Sequence, residues 1–329
     1  MRILITGVNG YIGSKLAKKL IEEGHDVIGM IRQSSNLHLL GSIPVKLIYG
    51  DFTNQSSLPN VVAGIDIVIH AGGMVSDWGN YSDFEKANFE GTKNMVAVSQ
   101  NAHVKRFIHI STVAVHGFGF QNATEEYLMP NLENAYAKTK KMSELWLSEF
   151  SKTHSMELVI IRPGNVYGPD DHKFIKKYLQ AIEKQQFAFI KGGSSLTCPS
   201  YIDNLVCGII LSCFHPKAAG ETFIITDGLY INWKEFTCKL VRQLGLPLPK
   251  FSTSFPFAYA LAYINEWFCK VIFKTYAPLL TRYRINNGGK DYHFSITKAR
   301  RILGYEPRVD INEAVHKTIK WYVTQIQNK

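Results

Sequence analysis

Thr6-Gly7-Val8-Asn9-Gly10-Tyr11-Ile12-Gly13 is the stretch that decides the fold. It closes a short apolar run, Arg2-Ile3-Leu4-Ile5, and opens a segment whose Ile12, Leu16, Leu20 and Ile21 share one helical face, with Gly24 as a natural stop. A strand, a tight glycine turn and a helix in that order bring backbone N–H groups and a helix N-terminus up to a pyrophosphate. Side chains at Gly7 or Gly10 would block that approach. The stretch therefore predicts a dinucleotide site built on Gly7, Asn9, Gly10, Tyr11, Ile12 and Gly13; the plainer alternative is a tight turn with no ligand.

Outward from this turn, short β-rich runs alternate with helix-length segments as far as about residue 162: Ile3-Thr6, Val27-Ile31, Val45-Tyr49, Ile65-His70, Arg106-Ser111 and Leu158-Arg162. Nearly continuous apolar strands separated by helices need both sheet faces covered, which predicts an α/β fold with a doubly wound parallel sheet of the Rossmann type. After Pro163 the alternation breaks down. We expect a dinucleotide-binding domain over residues 1–165 and a smaller, mostly helical substrate lobe over 166–329, with some later segments returning to the sheet.

The composition is that of a folded chain: 329 residues, 46% apolar and 12% aromatic, with only 19% charged, so disorder is excluded as its main character. Lys and Arg number 37 against 27 Asp and Glu, and the net charge of +10 favours anionic ligands or surfaces. The basic residues are dispersed along helices rather than gathered in a stripe, so no nucleic-acid partner is expected. Cys198, Cys207, Cys213, Cys238 and Cys269 form no zinc-spaced set and are odd in number, which predicts a cytoplasmic chain with no disulfide and no metal. Met1 leads directly into the first strand, leaving no room for a signal peptide. The longest apolar window, Phe255 to Phe273, is broken by Asn265, Glu266 and Lys270, so no transmembrane helix is expected.

An Asp or Glu at the end of the second strand accepts from a ribose 2′-OH and repels a 2′-phosphate. Here that strand ends Met30-Ile31-Arg32-Gln33-Ser34-Ser35. No acid is present, and Arg32 with Ser34 or Ser35 offers a guanidinium and hydroxyls to a phosphate. NADP is thus the expected cofactor, with NAD as the alternative if Arg32 is an ordinary surface residue. Downstream, Tyr136 and Lys140 stand at i and i+4 in a helical stretch, where an ammonium one turn away should lower the tyrosine pKa from about 10 and make it a usable acid/base.

With these pieces on one chain, the sequence resembles the extended short-chain dehydrogenases/reductases over almost its whole length. The matching segments are the glycine turn, Asp51-Phe52, His70-Ala71-Gly72, Asn88-Phe-Glu-Gly91-Thr92, Ser111-Thr112-Val-Ala-Val-His-Gly117, Tyr136 with Lys140, Arg162-Pro-Gly-Asn-Val-Tyr-Gly-Pro169 and Tyr201-Ile-Asp203-Asn204. The resemblance implies that Asp51 and Phe52 contact the adenine end and that Ala71, Gly72 and Gly73 line the cofactor groove. It implies further that Lys140 holds the nicotinamide ribose and that Pro163, Asn165 and Val166 pass beside the nicotinamide. Tyr136 would exchange a proton with the substrate oxygen and Thr112 would polarise that oxygen, with Ser111 the near miss. Asn88 would steady water or helix geometry behind the lysine, or serve only as a structural cap.

Dehydratases of the family carry an Asp-Glu pair after the active Thr, whereas Val113-Ala114 stand here, and its sugar-nucleotide epimerases normally carry the acid that the second strand lacks. Epimerisation is second choice. A dinucleotide-binding redox sensor would have lost Tyr and Lys, and both are present. The C-terminal half resembles 3β-hydroxysteroid and sterol dehydrogenases and the ketone reductases of bacterial long-chain olefin synthesis, in pieces such as Trp233-Lys-Glu-Phe236 and Leu303-Gly-Tyr-Glu-Pro307. Its residues 251–276 are crowded with Phe251, Phe255, Phe257, Tyr259, Tyr263, Trp267, Phe268, Phe273 and Tyr276. We expect a secondary alcohol or ketone that is hydrophobic, steroid-like or long-chain, as substrate; the alternative is that the aromatics only fill a core. Segment 255–284, with Lys270, Lys274, Arg282 and Arg284, could rest on a membrane surface, and the family resemblance implies a homodimer through helices near 80–102 and 133–153.

Overall fold

The computed structural model describes residues 1–127, 132–271 and 277–327, so Phe273, Lys274 and Tyr276 lie outside the described residues. Seven strands form one parallel sheet: β1 (Arg2–Thr6), β2 (Asp26–Ile31), β3 (Lys46–Tyr49), β4 (Ile67–His70), β5 (Arg106–Ile110), β6 (Glu157–Pro163) and β7 (Thr222–Ile225). Their order across the sheet is β7-β6-β5-β4-β1-β2-β3. The first six lie on the six apolar runs of the sequence, and the seventh comes back from the C-terminal half to the edge beside β6.

The continuous apolarity of the strands follows from two cores, one on each face. Ile3, Ile5, Val27, Ile69, Ile108 and Ile161 point to one side, where they meet Leu16 and Leu20 of α1 (Tyr11–Glu22) and Leu205 and Ile209 of the helix Ile202–Phe214. Leu4, Ile28, Val68, Phe107, Leu158 and Ile160 point to the other, against Met95 and Val96 of α2 (Gly91–Asn101) and Leu147 of α3 (Ala135–Ser151). Successive residues of a strand alternate in direction, so two covered faces make most positions apolar, and the polar exceptions, such as Thr6, His70 and Arg162, are buried and hydrogen bonded. On the far side of β7, Glu125 Oε1 accepts the Ile224 N–H at 2.9 Å, which satisfies an edge donor that no strand reaches.

β1 lies between β2 and β4: the chain runs outward from it through β2 to β3 and then crosses back to β4 on its other side, and ligands of such sheets bind beyond the strand ends at this switch point. Thr6, the last residue of β1, ties it together. Its Oγ1 accepts the Gly72 N–H at 3.1 Å and pairs with His70 Nδ1 at 2.8 Å. The glycines of the turn answer to different constraints. Gly7 has φ +67°, and a Cβ there would lie 2.8 Å from Gly72 Cα, so the chain itself excludes a side chain before any ligand does. A Cβ on Gly13 would lie 2.2 Å from Gly7 O, whereas one on Gly10 meets only that oxygen, at 3.1 Å. Gly10 is the glycine whose missing side chain opens onto the crevice.

The C-terminal half contributes α4 (Phe255–Val271) and α5 (Arg282–Gly289), which pack on each other, together with the helices Ile175–Glu183, Trp233–Leu244 and Ile311–Gln327. The five cysteines are free thiols. Among the described residues no helix is long and apolar enough to cross a membrane, and no cluster of His, Cys, Asp or Glu could hold a metal ion. The alternative that the aromatics of 251–271 merely fill a core is not what is observed: Phe251, Phe257, Tyr263, Trp267 and Phe268 are exposed, and α4 is held by its small residues Ala258, Ala262 and Cys269.

Gly13→Ala should destabilise the protein by about 3 kcal/mol or more, because the contact is with backbone that cannot turn aside. Gly10→Ala should leave stability within about 1 kcal/mol and weaken dinucleotide binding instead. Thermal melts and dinucleotide titrations of the two variants check this.

Candidate active site

The glycine turn presents an open helix end. The first internal bond of α1 runs from Ser14 N to Gly10 O at 2.9 Å, so the N–H groups of Tyr11, Ile12 and Gly13 have no acceptor within the helix. Gly10 provides no side-chain cap, and the first turn holds no acid to repel a phosphate. Tyr11 and Ile12 serve the site through main chain only: the Tyr11 ring packs against the sheet core and its buried hydroxyl has no partner. Asn9 Nδ2 donates to Asn36 O at 3.1 Å, which clamps the turn to the loop carrying Arg32. Arg32 is exposed just past the end of β2. Its N–H donates to Ser35 Oγ at 3.0 Å and its carbonyl accepts Ser35 N–H at 3.0 Å, a local turn that presents the guanidinium at the crevice edge.

Behind the crevice, Asp51 Oδ1 accepts both the N–H and the hydroxyl of Thr53 at 2.8 Å. The ring of Phe52 lies against Gly72 and Gly91, where added Cβ atoms would fall 2.7 Å and 2.5 Å from it. Gly73, one residue beyond Ala71-Gly72, is bare because Asn88 Oδ1 and Lys140 Nζ occupy the space beside it, 2.8 Å and 3.8 Å from where its Cβ would be. Pro163 ends β6, and Asn165 and Val166 begin a short strand paired in parallel with Pro199–Tyr201. Asn165 Nδ2 donates to Thr197 Oγ1 at 3.1 Å. These groups all face the carboxyl end of the sheet.

The residues expected to react, Tyr136 and Lys140 with Thr112, stand on α3 and just after the end of β5. Asn134 caps α3 by accepting the Ala137 N–H at 3.1 Å, which places Tyr136 and Lys140 on its first turns. Thr112 Oγ1 accepts the Ala114 N–H at 3.1 Å, so the hydroxyl proton is directed outward, and it is hydrogen bonded to Tyr136. Ser111 is not available for this role, because its hydroxyl donates to the buried carboxylate of Glu144. Lys140 is buried with Nζ donating to Ile110 O at 2.7 Å, and burial pulls its pKa down to about 8 against the opposing charge of Glu144.

The tyrosine departs from the expectation of a lowered pKa. Burial pushes Tyr136 up to about 12, and the hydrogen bond to Thr112 only partly offsets this, while the Lys140 ammonium donates to Ile110 O. Asn88 is not a helix cap either. It lies inside a π-helical turn, Glu85–Glu90, where Oδ1 accepts Met74 N–H at 2.8 Å and Nδ2 donates to Met74 O at 3.1 Å and Thr139 Oγ1 at 3.2 Å. It pins the loop after β4 to α3 with every donor used.

Two groups were missed in the sequence. Glu144 stands at i+8 from Tyr136, one more turn along the face that carries Lys140, and it forms a buried ion pair with Arg162 of β6 at 2.6 Å, with side chains only 3% and 4% exposed. The signal was the continued spacing of four. Asp77, in the loop after β4, is the second. It accepts from Thr281 Oγ1 at 2.7 Å and pairs with Arg284 at 2.6 Å, while its carbonyl accepts from Asn134 Nδ2 at 3.4 Å. Asp77 thus ties α5 to the cap of the catalytic helix; nothing in its sequence neighbourhood marks it.

A cleft of about 1170 Å³ opens at the start of α3, beside Ala135, the residue before Tyr136. Its wall runs from Ala135 and Phe118 past Trp78 to Tyr283 of α5 and Tyr263 and Trp267 of α4. Tyr136 and Tyr283 pack on one small cluster, Ala114, Leu132 and Ala137, which joins the cleft to the proton donor.

Thr112→Val should lower turnover by roughly 10²-fold with the melting point nearly unchanged, since it removes a donor to the reacting oxygen. Ser111→Ala should do the reverse, keeping turnover near wild type and destabilising the fold by about 1–3 kcal/mol through a buried carboxylate oxygen left short of a donor. Steady-state rates and thermal melts measured together separate the two hydroxyls.

Residues 3–225 match the NAD dependent epimerase/dehydratase family. Over nearly the whole chain the protein is 28% identical to the 2-alkyl-3-oxoalkanoate reductase of Stenotrophomonas maltophilia, covering 96% of this chain and 98% of that one. It is 27% identical to the 3-beta-hydroxysteroid dehydrogenase of Mycolicibacterium neoaurum, covering 98% and 91%. Its fold is shared with the UDP-glucose 4-epimerase of Thermotoga maritima, at a TM-score of 0.80 and 20% identity over 99% of this chain and 100% of that one. With that family matched across most of the chain, and with Thr112, Tyr136 and Lys140 gathered at the switch point of its sheet, the chain belongs to the NAD-dependent epimerase/dehydratase family of extended short-chain dehydrogenases/reductases and is an enzyme.

Proposed function

We propose that the enzyme interconverts a secondary alcohol and a ketone on a hydrophobic substrate, steroid-like or long-chain, with NADP as its preferred dinucleotide. The observation that supports this is the cleft: its wall includes Phe118, Trp78, Tyr283, Tyr263 and Trp267, Tyr283 packs on the same small cluster as Tyr136, and the arginines nearby are already paired. Arg282 is held by Glu266 at 2.7 Å and Arg284 by Asp77 at 2.6 Å, so neither guanidinium is left to grip a sugar diphosphate, and the other cations on the lining are the lysines Lys138, Lys270 and Lys290. The names of the reductase and the steroid dehydrogenase to which the chain is similar point the same way.

The residues present fit a dinucleotide. The N–H groups of Tyr11, Ile12 and Gly13 would receive the pyrophosphate, Arg32 the 2′-phosphate, and Lys140 the ribose next to the reacting ring. When bound, the dinucleotide supplies or takes up the hydride. Thr112, its lone pair occupied by Ala114 N–H, donates its proton to the substrate oxygen and polarises the carbon–oxygen bond. Tyr136, protonated at neutral pH because burial raises its pKa, gives its proton to that oxygen as the ketone is reduced. The Lys140 ammonium stabilises the phenolate left behind; in the oxidative direction the same proton returns to Tyr136. The same proposal places a homodimer contact on the outer faces of Tyr81–Asn101 and α3, where Tyr81 and Leu145 are exposed.

Tyr136→Phe should lower turnover by roughly 10² to 10⁴ with dinucleotide affinity kept, and Lys140→Met should reduce both. Screened with purified protein, ketosteroids and long-chain ketones should be reduced; activity on UDP-sugars with none on lipid ketones would overturn the substrate class. Separately, NADPH should bind more tightly than NADH in a nicotinamide-fluorescence titration, and Arg32→Ala should abolish the difference. Equal wild-type affinities would refute the cofactor preference.

A further inference from the structure

We propose that the outer face of α4 is a docking surface for an anionic lipid bilayer, delivering substrate from the membrane into the cleft; the delivery step rests on the hydrophobic substrate class proposed above, whereas the docking does not. Phe257, Leu261, Ile264, Phe268 and Val271 follow one another at intervals of three and four residues, and all are exposed. They form one stripe down a 17-residue helix, roughly 25 Å long at about 1.5 Å per residue. Leu279 and Leu280 are exposed beyond the helix, and Phe251, 69% exposed, precedes it. A continuous apolar surface of this kind is one that water leaves uncovered at a free-energy cost, and it marks a partner.

The charges select the partner. The exposed positions of α4 carry a single charged group, Lys270, which stands with Tyr263 and Trp267 at the cleft edge of the stripe, while the helix's one acid, Glu266, has its side chain 14% exposed and held by Arg282. Lys250 and Lys290 are exposed on the flanking segments, and the chain as a whole carries +10. A second copy meeting this face would bring the same apolar stripe but no exposed acid of α4 to pair with Lys270. Anionic headgroups instead neutralise the lysines while the acyl boundary takes up the phenylalanines and aliphatics. The aromatic residues with polar tips, Tyr263 and Trp267, sit where the stripe turns into the cleft, at the height of the headgroups. α4 therefore presents one side to lipid and another to the cleft, so a water-insoluble ketone reaches Tyr136 along the helix without crossing bulk water.

The test uses the full-length protein, without dinucleotide or substrate, sedimented with vesicles of phosphatidylcholine alone and of phosphatidylcholine mixed with phosphatidylglycerol. Wild type should sediment with the mixed vesicles, less with the neutral ones, and less again as salt is raised. Lys270→Glu should weaken binding to the mixed vesicles only. The triple variant Phe257→Ser/Leu261→Ser/Phe268→Ser, whose positions line neither the cleft nor the dinucleotide crevice, should lower partitioning at least about tenfold with dinucleotide affinity unchanged. Wild type that stays in the supernatant with both vesicles overturns the proposal, as does a wild-type dimer that the triple variant converts to monomer while neither form sediments. Vesicle binding by an enzyme inert towards every lipid ketone would support the docking surface and count against the substrate class alone.

Discussion

The ion pair between Arg162 and Glu144 is the contact on which the active site is hung. Two charges out of water are tolerable only when every donor and acceptor is met. Here Arg162 donates to both carboxylate oxygens, at 2.6–3.1 Å, to Glu125 O at 2.7 Å, and lies 3.2 Å from His116 Nε2. Glu144 takes a further bond from Ser111. One pair thereby joins β6, α3, the end of β5 and the turn after it. Removing either partner leaves a buried charge uncompensated, a loss of about 3–5 kcal/mol in proteins generally. This knot fixes β6, α3 and the end of β5 against one another, and the hydrogen bond between Thr112 and Tyr136 forms on that frame.

The knot also shapes the electrostatics around it. His116 is held neutral, its pKa pulled down to about 3 by burial and by Arg162, so it can accept from the guanidinium rather than repel it. Beneath the switch point His70 is likewise depressed to about 3 by burial and by Lys140. The histidines of the interior thus add no charge, and Glu144 supports two buried cations, Arg162 by a direct ion pair and Lys140 through its field.

Much of this could be read from the sequence, and the rest could not for identifiable reasons. The strands were readable because a parallel sheet covered on both faces leaves apolar runs such as Val27-Ile31 unbroken by polar residues. The glycine turn and the spacing of Tyr136 and Lys140 were readable because each is a local geometry. Arg162 and Glu144 were quoted or passed over as motif residues, since their pairing joins a strand to a helix and has no local trace. The tyrosine pKa was misjudged because spacing shows the neighbouring charge and not the loss of water. α4 misled for a different reason: a helix apolar all round normally signals burial, and here the face that packs is marked by the buried small residues Ala258, Ala262 and Cys269 with the half-buried Phe255 and Tyr259 beside them.

The edge strand β7 has a consequence for how the chain is made. It lies 59 residues beyond the end of β6, yet it completes the sheet on which the catalytic groups stand. While a ribosome is still extending the chain between them, the outer edge of β6 offers unpaired backbone and Glu125 lacks the Ile224 amide it accepts in the finished protein. The nucleotide-binding half therefore emerges first and closes last, so it must wait, open-edged and prone to pairing with other nascent chains, until the segment around residue 225 leaves the exit tunnel. Synthesis order and sheet order are at odds in this fold, and the C-terminal half acts during biogenesis as the clasp of the N-terminal one.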